Sequence, residues 1–230
     1  MEASLVAGLL LLYRLGRYLS RDQVAVAFDH ATAVLNLERQ LGLAIEADVQ
    51  RLVLEHPWMT TVLNNFYARA HFPVTIAFLV FAYLRAPDVY RHVRYLFVVV
   101  TGLGLAMHVV YPLAPPRMLP GFVDTIAIYG PSIYDRADVS SVANQYAAMP
   151  SMHFGWAVLV AYGAVQMGRR WWRWVFVAHP VITLLAITAT ANHYWLDAAA
   201  AGLLVVIGVV VANRAPARFA SPSKQMAAAS

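Results

Sequence analysis

The chain has 230 residues, of which 60% are hydrophobic and 13% charged, and its mean hydropathy is +0.57. Ordinary soluble domains carry about a quarter charged residues, so a soluble globule is excluded and lipid must cover part of this surface. The absence of cysteine excludes disulfides, thiolate metal sites and cysteine nucleophiles. The net charge of +5 comes almost entirely from arginines clustered between apolar runs, which is typical of cytoplasmic loops rather than of a nucleic-acid-binding surface.

The first 58 residues are predicted to contain two segments of different character. Residues 1–20 are apolar and end in arginines, and they lack a basic start and a clean cleavage site. We therefore interpret them as a short or tilted membrane helix rather than as a signal peptide. In residues 22–58, acidic side chains are spaced among leucines and valines. This pattern is typical of an amphipathic helix at the membrane interface, followed by a polar loop.

Five later stretches approach the length of roughly 20 apolar residues that a spanning helix needs. With the N-terminal segment they predict an all-α, polytopic membrane protein with a bundle of six transmembrane helices. The five stretches cover approximately residues 60–84, 95–113, 151–168, 174–191 and 195–212.

The segments between and after these stretches complete the predicted organisation. Residues 112–150 are rich in proline and glycine and too polar to span, so they form a long loop. The tail, residues 214–230, has the composition of a disordered segment. We therefore divide the chain into an N-terminal part, 1–58, a catalytic transmembrane core, 59–213, and this tail.

The arginine clusters predict the orientation in a cell membrane, because cytoplasmic loops are enriched in Arg and Lys. The loop 112–150, the turn at 191–195 and the acidic region 38–58 then face the other, extracytoplasmic side. The cytoplasmic groups are Arg85, Arg91 and Arg94, then Arg169, Arg170 and Arg173, and finally Arg214, Arg218 and Lys224.

A carboxylate inside an apolar run is the first candidate for chemistry. After Asp138 the sequence contains one carboxylate only, Asp197, and His193 lies four residues before it. On a helix the two side chains would share one face. A carboxylate beside an imidazole fixes the tautomer and activates the other ring nitrogen. The structural alternative is a buried pair that joins two helices.

Two further candidates lie at the ends of predicted helices. Pro150 and Ser151 begin a helix whose free N–H groups form an anion site, and His153 projects from its first turn. Arg117 follows another span in a proline-rich segment and offers planar donors to a phosphate. The alternatives are a capped helix with an interfacial histidine and a snorkelling arginine. The predicted topology nevertheless brings all of these residues together on the extracytoplasmic side. An anion-binding group, an acid and an oriented nucleophile are the parts that phosphoryl transfer through a covalent intermediate requires.

The segments PSMH (150–153) and HYWLD (193–197) resemble the second and third motifs of the type 2 phosphatidic acid phosphatase superfamily, which read roughly PSGH and SRxxxxxHxxxD. The resemblance covers residues 60–212 and is closest to the branch of inositol phosphorylceramide synthases and sphingomyelin synthases. It implies a six-helix bundle without metal or other cofactor. It also implies that His193 is the nucleophile, Asp197 its orienting group, His153 the general acid and base, and Arg117 and Ser151 the phosphate-binding residues.

The sequence departs from the phosphatase pattern at two cationic positions. Val110 stands where that pattern has a lysine, and Ala186 and Ile187 stand where it has Ser-Arg; the synthase-like branch also lacks this arginine, which favours that branch. His71 or Arg69 is a candidate to supply polarity in place of these missing cations, although a role in helix packing would also explain the presence of His71. Asn192 and Tyr194, which flank His193, are further site candidates. We expect His108 to be structural and His179 to be unrelated to the site.

These features predict a membrane enzyme that transfers or hydrolyses the phosphoryl group of a lipid, with inositol phosphate transfer as one form of the reaction. The expected partners are a membrane lipid substrate, a polyol or other alcohol acceptor and the bilayer itself, and no nucleic acid. The alternatives are a simple lipid phosphatase, a non-catalytic lipid-binding or transport-like protein, and a metal-dependent enzyme. The last would use His153, His193 and Asp197 as ligands, although Arg117 nearby argues against it.

Overall fold

The computed structural model describes residues 23–130, 145–168 and 171–214, together with isolated positions before residue 23. This part of the chain is helical and contains no β-strand, with a single isolated bridge between Leu113 and Ala147. The predicted N-terminal span, part of the loop 112–150 and the tail beyond Arg214 lie largely or wholly outside the described residues. The all-α prediction is confirmed for the described part.

The helices follow one another through short connections, and local sequence explains where several of them begin. Pro57 and Pro87 each occupy the first turn of a helix, where the missing N–H of proline costs nothing. The helix that begins at Pro57 includes a π-helical turn at Phe66–Ala70. The helices are α1 Val24–Gln40, α2 Glu46–Leu54, α3 Pro57–Arg85, α4 Pro87–Val110, α5 Thr125–Tyr129, α6 Met152–Gln166, α7 Arg173–Ala189 and α8 Trp195–Arg214, with a short 3₁₀ turn at Pro116–Met118.

Among the described residues, three helices are long and apolar enough to cross a membrane: α3, α4 and α8. Helix α7 is apolar but has only 17 residues. Large apolar side chains remain exposed on the outer faces of these helices, for example Ile76, Leu203 and Val206. This surface is suited to lipid, which confirms the membrane character, while the count of six spans remains a prediction.

Two details of the predicted organisation are corrected. Helix α4 begins at Pro87, well before the predicted residue 95, so Arg91 and Arg94 lie within the helix instead of a turn. The polar loop expected after a single amphipathic helix is instead largely helix α2, and its first residue, Glu46, is fully buried, as is Glu38 of α1. The reason is that these two carboxyl groups face the bundle, where other helices supply hydrogen-bond partners.

The main core lies between α3, α4, α6 and α8, and small residues permit the close approach of these helices. A methyl group added at Gly163 of α6 would lie 2.6 Å from the ring of Phe78 and 2.9 Å from Val93. A second cluster joins α1 to the segments around the loop 112–150 and to the start of α8. Its buried members are Ala27, Ala31, Val34, Leu35, Leu113, Ala114, Leu119, Ala148 and Tyr194.

Candidate active site

Three chain segments meet at one end of the bundle: the segment after α4, the start of α6 and the connection between α7 and α8. Backbone hydrogen bonds fix them to one another. The Arg117 N–H donates to the Ala191 carbonyl at 2.8 Å, and the Ser151 N–H donates to the Asp197 carbonyl at 3.0 Å. Residues that are far apart in sequence are thereby held together without relying on side chains.

The connection between α7 and α8 turns sharply at Ala191, whose φ of 53° is left-handed. This turn directs the N–H groups of Asn192 and His193 to the Ile187 carbonyl, at 2.9 and 3.2 Å. Such bonds satisfy carbonyl groups at the end of a helix that would otherwise lack partners. The turn therefore places His193 at the start of the connection to α8, with a fixed backbone.

His193 makes two hydrogen bonds through the same ring nitrogen. Its Nδ1 lies 3.1 Å from Asp197 Oδ2 and 3.0 Å from the Ala148 carbonyl oxygen. A carbonyl oxygen only accepts, so Nδ1 carries the proton and Nε2 of the neutral ring carries a free lone pair. Burial lowers the pKa of His193 to about 3; the bond to Ala148 opposes this shift and the charge of Arg117 reinforces it. The ring is therefore held neutral, in the tautomer that suits a nucleophile.

The predicted contact between His193 and Asp197 exists, but the helical argument for it needs correction. His193 precedes α8, which begins at Trp195, so the two residues do not share one helical face. Instead, Asp197 in the first turn reaches back, and its Oδ2 accepts the Tyr194 N–H at 3.1 Å. The free N–H groups at the start of α8 orient the carboxylate, and the carboxylate orients the histidine.

Arg117 lies in the 3₁₀ turn after α4 and is joined to the residue beside His193. Its Nη1 donates to Asn192 Oδ1 at 2.6 Å, and its Nε lies 3.5 Å from Asp124 Oδ2. Asn192 is itself oriented by Thr190, whose Oγ1 accepts from Asn192 Nδ2 at 2.7 Å. The guanidinium is thus fixed at the site while retaining further donors for an anion.

Ser151 and His153 occupy the start of α6, as predicted. Ser151 is the N-cap, and its hydroxyl oxygen accepts the Phe154 N–H at 3.4 Å. The His153 ring stacks on Tyr67 with centroids 4.3 Å apart and lies 5.9 Å from the His193 ring. The space beside both imidazoles is therefore next to a helix N-terminus, a natural site for an anion.

His71 belongs to this neighbourhood, and His179, which we expected to be unrelated to the site, contacts His71. The His71 and His153 rings are 4.9 Å apart, and His71 Nδ1 lies 3.1 Å from His179 Nε2. Helix α7 packs along α6 and against the π-helical turn of α3, which brings His179 to His71. Arg69, the other candidate for replacement polarity, is exposed.

The remaining candidates have structural contacts. Tyr194 is fully buried, and its hydroxyl donates to the Ala114 carbonyl at 3.0 Å, which ties the segment after α4 to the start of α8. His108 Nε2 lies 3.1 Å from the Pro150 carbonyl oxygen, in agreement with the structural role expected for it. Val110, at the position of the missing lysine, is 78% exposed. Ala186 and Ile187 are fully buried.

Two residues at the site were missed in the sequence. Glu38 and Glu46 contact the first turn of α8, and their carboxyl oxygens accept from the Leu196 and Trp195 N–H groups. A signal for Glu38 was present, because it continues the buried stripe of α1 formed by Ala27, Ala31 and Val34 at helical spacing. A carboxyl group on an apolar stripe indicates a specific buried partner.

In chemical terms the arrangement joins a neutral, oriented imidazole to a fixed guanidinium, a helix N-terminus and a second imidazole. These groups suit nucleophilic attack on a phosphate with acid–base assistance. Across the residues that the structure covers, no three histidine, aspartate or glutamate side chains are grouped as metal ligands.

Comparison with known proteins agrees with this chemistry. A family model described as PAP2 superfamily matches residues 32–211, which is more than half of the chain and includes all five principal site residues. Comparisons with curated proteins and with solved structures found no match. Members of this superfamily are generally phosphatases or phosphotransferases. The chain belongs to the PAP2 superfamily, as its second and third motifs indicated.

Proposed function

We propose that this protein is a membrane-embedded lipid phosphotransferase or phosphatase that acts through a phosphohistidine at His193. The observation that carries the proposal is the double hydrogen bond of His193 Nδ1 to Asp197 and to the Ala148 carbonyl. These two bonds leave Nε2 of His193 as the nucleophilic atom. The His153 ring lies beside the His193 ring, and the neighbouring residue Asn192 binds Arg117. Family membership supports this class of activity in general.

In the first step His193 Nε2 attacks the phosphorus of a lipid phosphate or phosphodiester. The Nε2–P bond forms as the bond from phosphorus to the leaving alcohol oxygen breaks, and protonated His153 transfers its proton to that oxygen. Asp197 stabilises the positive charge of the phosphorylated ring through Nδ1–H. Arg117 and the N-terminus of α6 at Ser151 bind the non-bridging oxygens, where negative charge increases.

In the second step an acceptor removes the phosphoryl group. His153, now neutral, takes a proton from water or an alcohol, the new O–P bond forms, and the Nε2–P bond breaks. Water gives a phosphatase, whereas an alcohol gives a head-group transferase. The missing cations at Val110 and Ile187 and the resemblance to the inositol phosphorylceramide and sphingomyelin synthase branch favour transfer, with an inositol phosphate as one candidate head group.

The proposed location follows from the apolar helices and the arginine clusters. The protein spans a cell membrane several times, and the site faces the extracytoplasmic side. The lipid substrate reaches the site from the bilayer, and a polyol or other alcohol acceptor reaches it from the aqueous phase. No cofactor is part of the proposed reaction.

The test is to incubate the purified protein with a panel of lipid phosphates, with and without inositol or glycerol, and to analyse products by mass spectrometry. We expect turnover by the wild type and a loss of at least about 1000-fold for His193→Ala, with an acid-labile phosphoenzyme trapped from the wild type only. Free phosphate as the sole product would identify a phosphatase, and a lipid with a new head group would identify a transferase.

Three outcomes would contradict the proposal. Wild-type rates in folded His193→Ala would rule out this nucleophile. Lipid binding without product after long incubation would favour the non-catalytic alternative. Loss of activity on exhaustive chelation, restored by a divalent metal, would favour the metal-dependent alternative.

A further inference from the structure

The first turn of α8 is held by three buried carboxyl groups from three helices. Asp197 Oδ2 accepts the Tyr194 N–H at 3.1 Å, Glu46 Oε1 accepts the Trp195 N–H at 3.3 Å, and Glu38 Oε1 accepts the Leu196 N–H at 2.8 Å. Three consecutive N–H groups, which a helix start leaves without partners, are therefore satisfied by acids. This end of α8 carries His193 and Asp197, so these bonds bear directly on the site.

Glu38 and Glu46 lie in the interior and do not belong to the polar surface of the protein. Both residues are fully buried, and each uses Oε1 for α8 while its Oε2 has no hydrogen-bond partner among the described residues if both carboxyls are ionised. Burial raises the pKa of Glu38 to about 9, and a hydrogen bond with the Glu46 side chain adds to the shift. A proton on Glu38 gives this carboxyl group a hydrogen to donate to Glu46, and it removes one negative charge beside Asp197.

We propose that Glu38 and Glu46 share one proton and act as positioning residues, which hold the start of α8 so that Asp197 and His193 keep their alignment. The pair acts through the N–H groups of Leu196 and Trp195 and does not touch the substrate. This inference rests on the proposed function for its consequence in catalysis. Its structural content, the alignment of His193, is measurable without turnover.

The net charge of the Glu38–Glu46 pair affects how the start of α8 is held. Glu38 is faced by Glu46 from α2 and by Asp197 and Tyr194 from the start of α8. Loss of the shared proton places a second negative charge among these groups, and repulsion then separates the carboxyls and releases the first turn of α8. Alkaline conditions are therefore expected to disturb the His193–Asp197 contact before the bundle unfolds.

The test compares Glu38→Gln, Glu38→Ala and the matched control Asp29→Asn, an exposed acid on the same helix, in the full-length protein in detergent. Glutamine resembles the protonated carboxyl, so Glu38→Gln is expected to keep most of the activity at pH 7. Glu38→Ala is expected to lower kcat by about 10- to 100-fold with little change in KM. The wild type should lose kcat above about pH 9, and Glu38→Gln should not.

A second measurement does not depend on turnover. In ¹⁵N-histidine NMR spectra the His193 signals are identified by their loss in His193→Ala. We expect Glu38→Ala to shift or broaden these signals at pH 7, and Glu38→Gln and Asp29→Asn to leave them in place. If Glu38→Ala does not fold, the alkaline behaviour of the His193 signals in the wild type and in Glu38→Gln decides the question.

The outcomes separate this inference from the proposed function. An inactive wild type refutes the proposed function, while the NMR signals still report whether Glu38 aligns His193. An active wild type whose His193 signals and kcat are unchanged in folded Glu38→Ala overturns the inference alone. Equal impairment in Glu38→Gln and Glu38→Ala, or the same alkaline loss in wild type and Glu38→Gln, overturns the shared proton.

Discussion

At the scale of single residues, Asp197 has the most constrained role. It is fully buried, and its Oδ2 accepts from both His193 Nδ1 and the Tyr194 N–H. One oxygen thereby fixes the ring of His193 and the start of α8. A substitution here therefore tests orientation separately from the nucleophile.

For Asp197→Asn we expect kcat to fall at least about 100-fold, because the amide removes the negative charge and an amide nitrogen turned toward Nδ1 would favour the wrong tautomer. KM should change much less, since Asp197 does not bind the phosphate. Steady-state kinetics on a soluble short-chain lipid phosphate measure both constants. A folded Asp197→Asn variant with wild-type kcat would contradict the orienting role.

Arg117 is a second informative residue, because its guanidinium is held by Asn192 and Asp124. We expect Arg117→Lys to lower kcat/KM by about 10- to 100-fold, since an ammonium group does not reproduce the planar fork that binds two phosphate oxygens. Arg91→Lys, an exposed arginine at the other end of α4, is the control and should retain wild-type kinetics. Equal kinetics for both variants would remove Arg117 from the phosphate site.

At the scale of elements, the close packing of α6 depends on Gly163. A Cβ at this position would lie 2.6 Å from Phe78 and 2.9 Å from Val93, whereas a Cβ at Gly102 of α4 meets nothing within 4 Å. We expect Gly163→Ala to destabilise the protein by about 1–3 kcal/mol through overpacking, and Gly102→Ala to be neutral or stabilising by up to about 1 kcal/mol. Thermal unfolding in detergent compares them, and equal midpoints would contradict the packing.

The contact of α1 and α2 with α8 is expected to make the stability of the protein depend on pH, which can be measured without an activity assay. Because burial raises the pKa of Glu38 to about 9 from 4.5, folding favours its protonated form. Its contribution is complete below about pH 4.5, where the unfolded chain is also protonated, and it is lost progressively as the pH rises toward 9. The maximum slope for one such group is about 1.4 kcal/mol per pH unit.

We therefore expect the unfolding midpoint of the wild type to fall between pH 5 and pH 9 more steeply than that of Glu38→Gln. The midpoint is measured across this range at constant ionic strength, with Asp29→Asn as control. Parallel curves for the wild type and Glu38→Gln would show that Glu38 is ionised in the folded protein at neutral pH.

At the scale of the whole molecule, the candidate site lies at one end of the bundle, and the described arginines Arg85 and Arg173 lie at the other. The site follows the end of α4 and precedes α6 and α8, whereas Arg85 and Arg173 mark the opposite ends of α3 and α7. This separation supports the proposed orientation, because cytoplasmic loops are enriched in arginine.

The absence of native cysteine makes this orientation directly testable. We expect Ile128→Cys, near the site, to react with a membrane-impermeant maleimide on intact cells. Trp171→Cys, between α6 and α7, should react only after permeabilisation; both native side chains are well exposed. The opposite pattern would place the site on the cytoplasmic side.

The helical membrane character could be predicted from the sequence alone, and so could the candidate site residues. Apolar runs of spanning length and a carboxylate within one of them are local features, and PSMH and HYWLD carry their chemistry within a few residues. These patterns predicted that His193, Asp197, His153 and Arg117 would meet. They did not predict which nitrogen of His193 carries the proton.

The buried polar groups that support the candidate site could not be predicted, because helix packing brings them together. Glu38 reaches the Leu196 N–H across 158 residues, and His179 reaches His71 across 108. No local pattern encodes such a pair, because the partner is chosen by how the helices pack and by which N–H groups a helix start leaves open. Helical spacing predicts that Glu38 lies on a buried stripe of α1. The hydrogen bond from the Leu196 N–H, which offsets the cost of burying this carboxyl group, depends on how the helices pack.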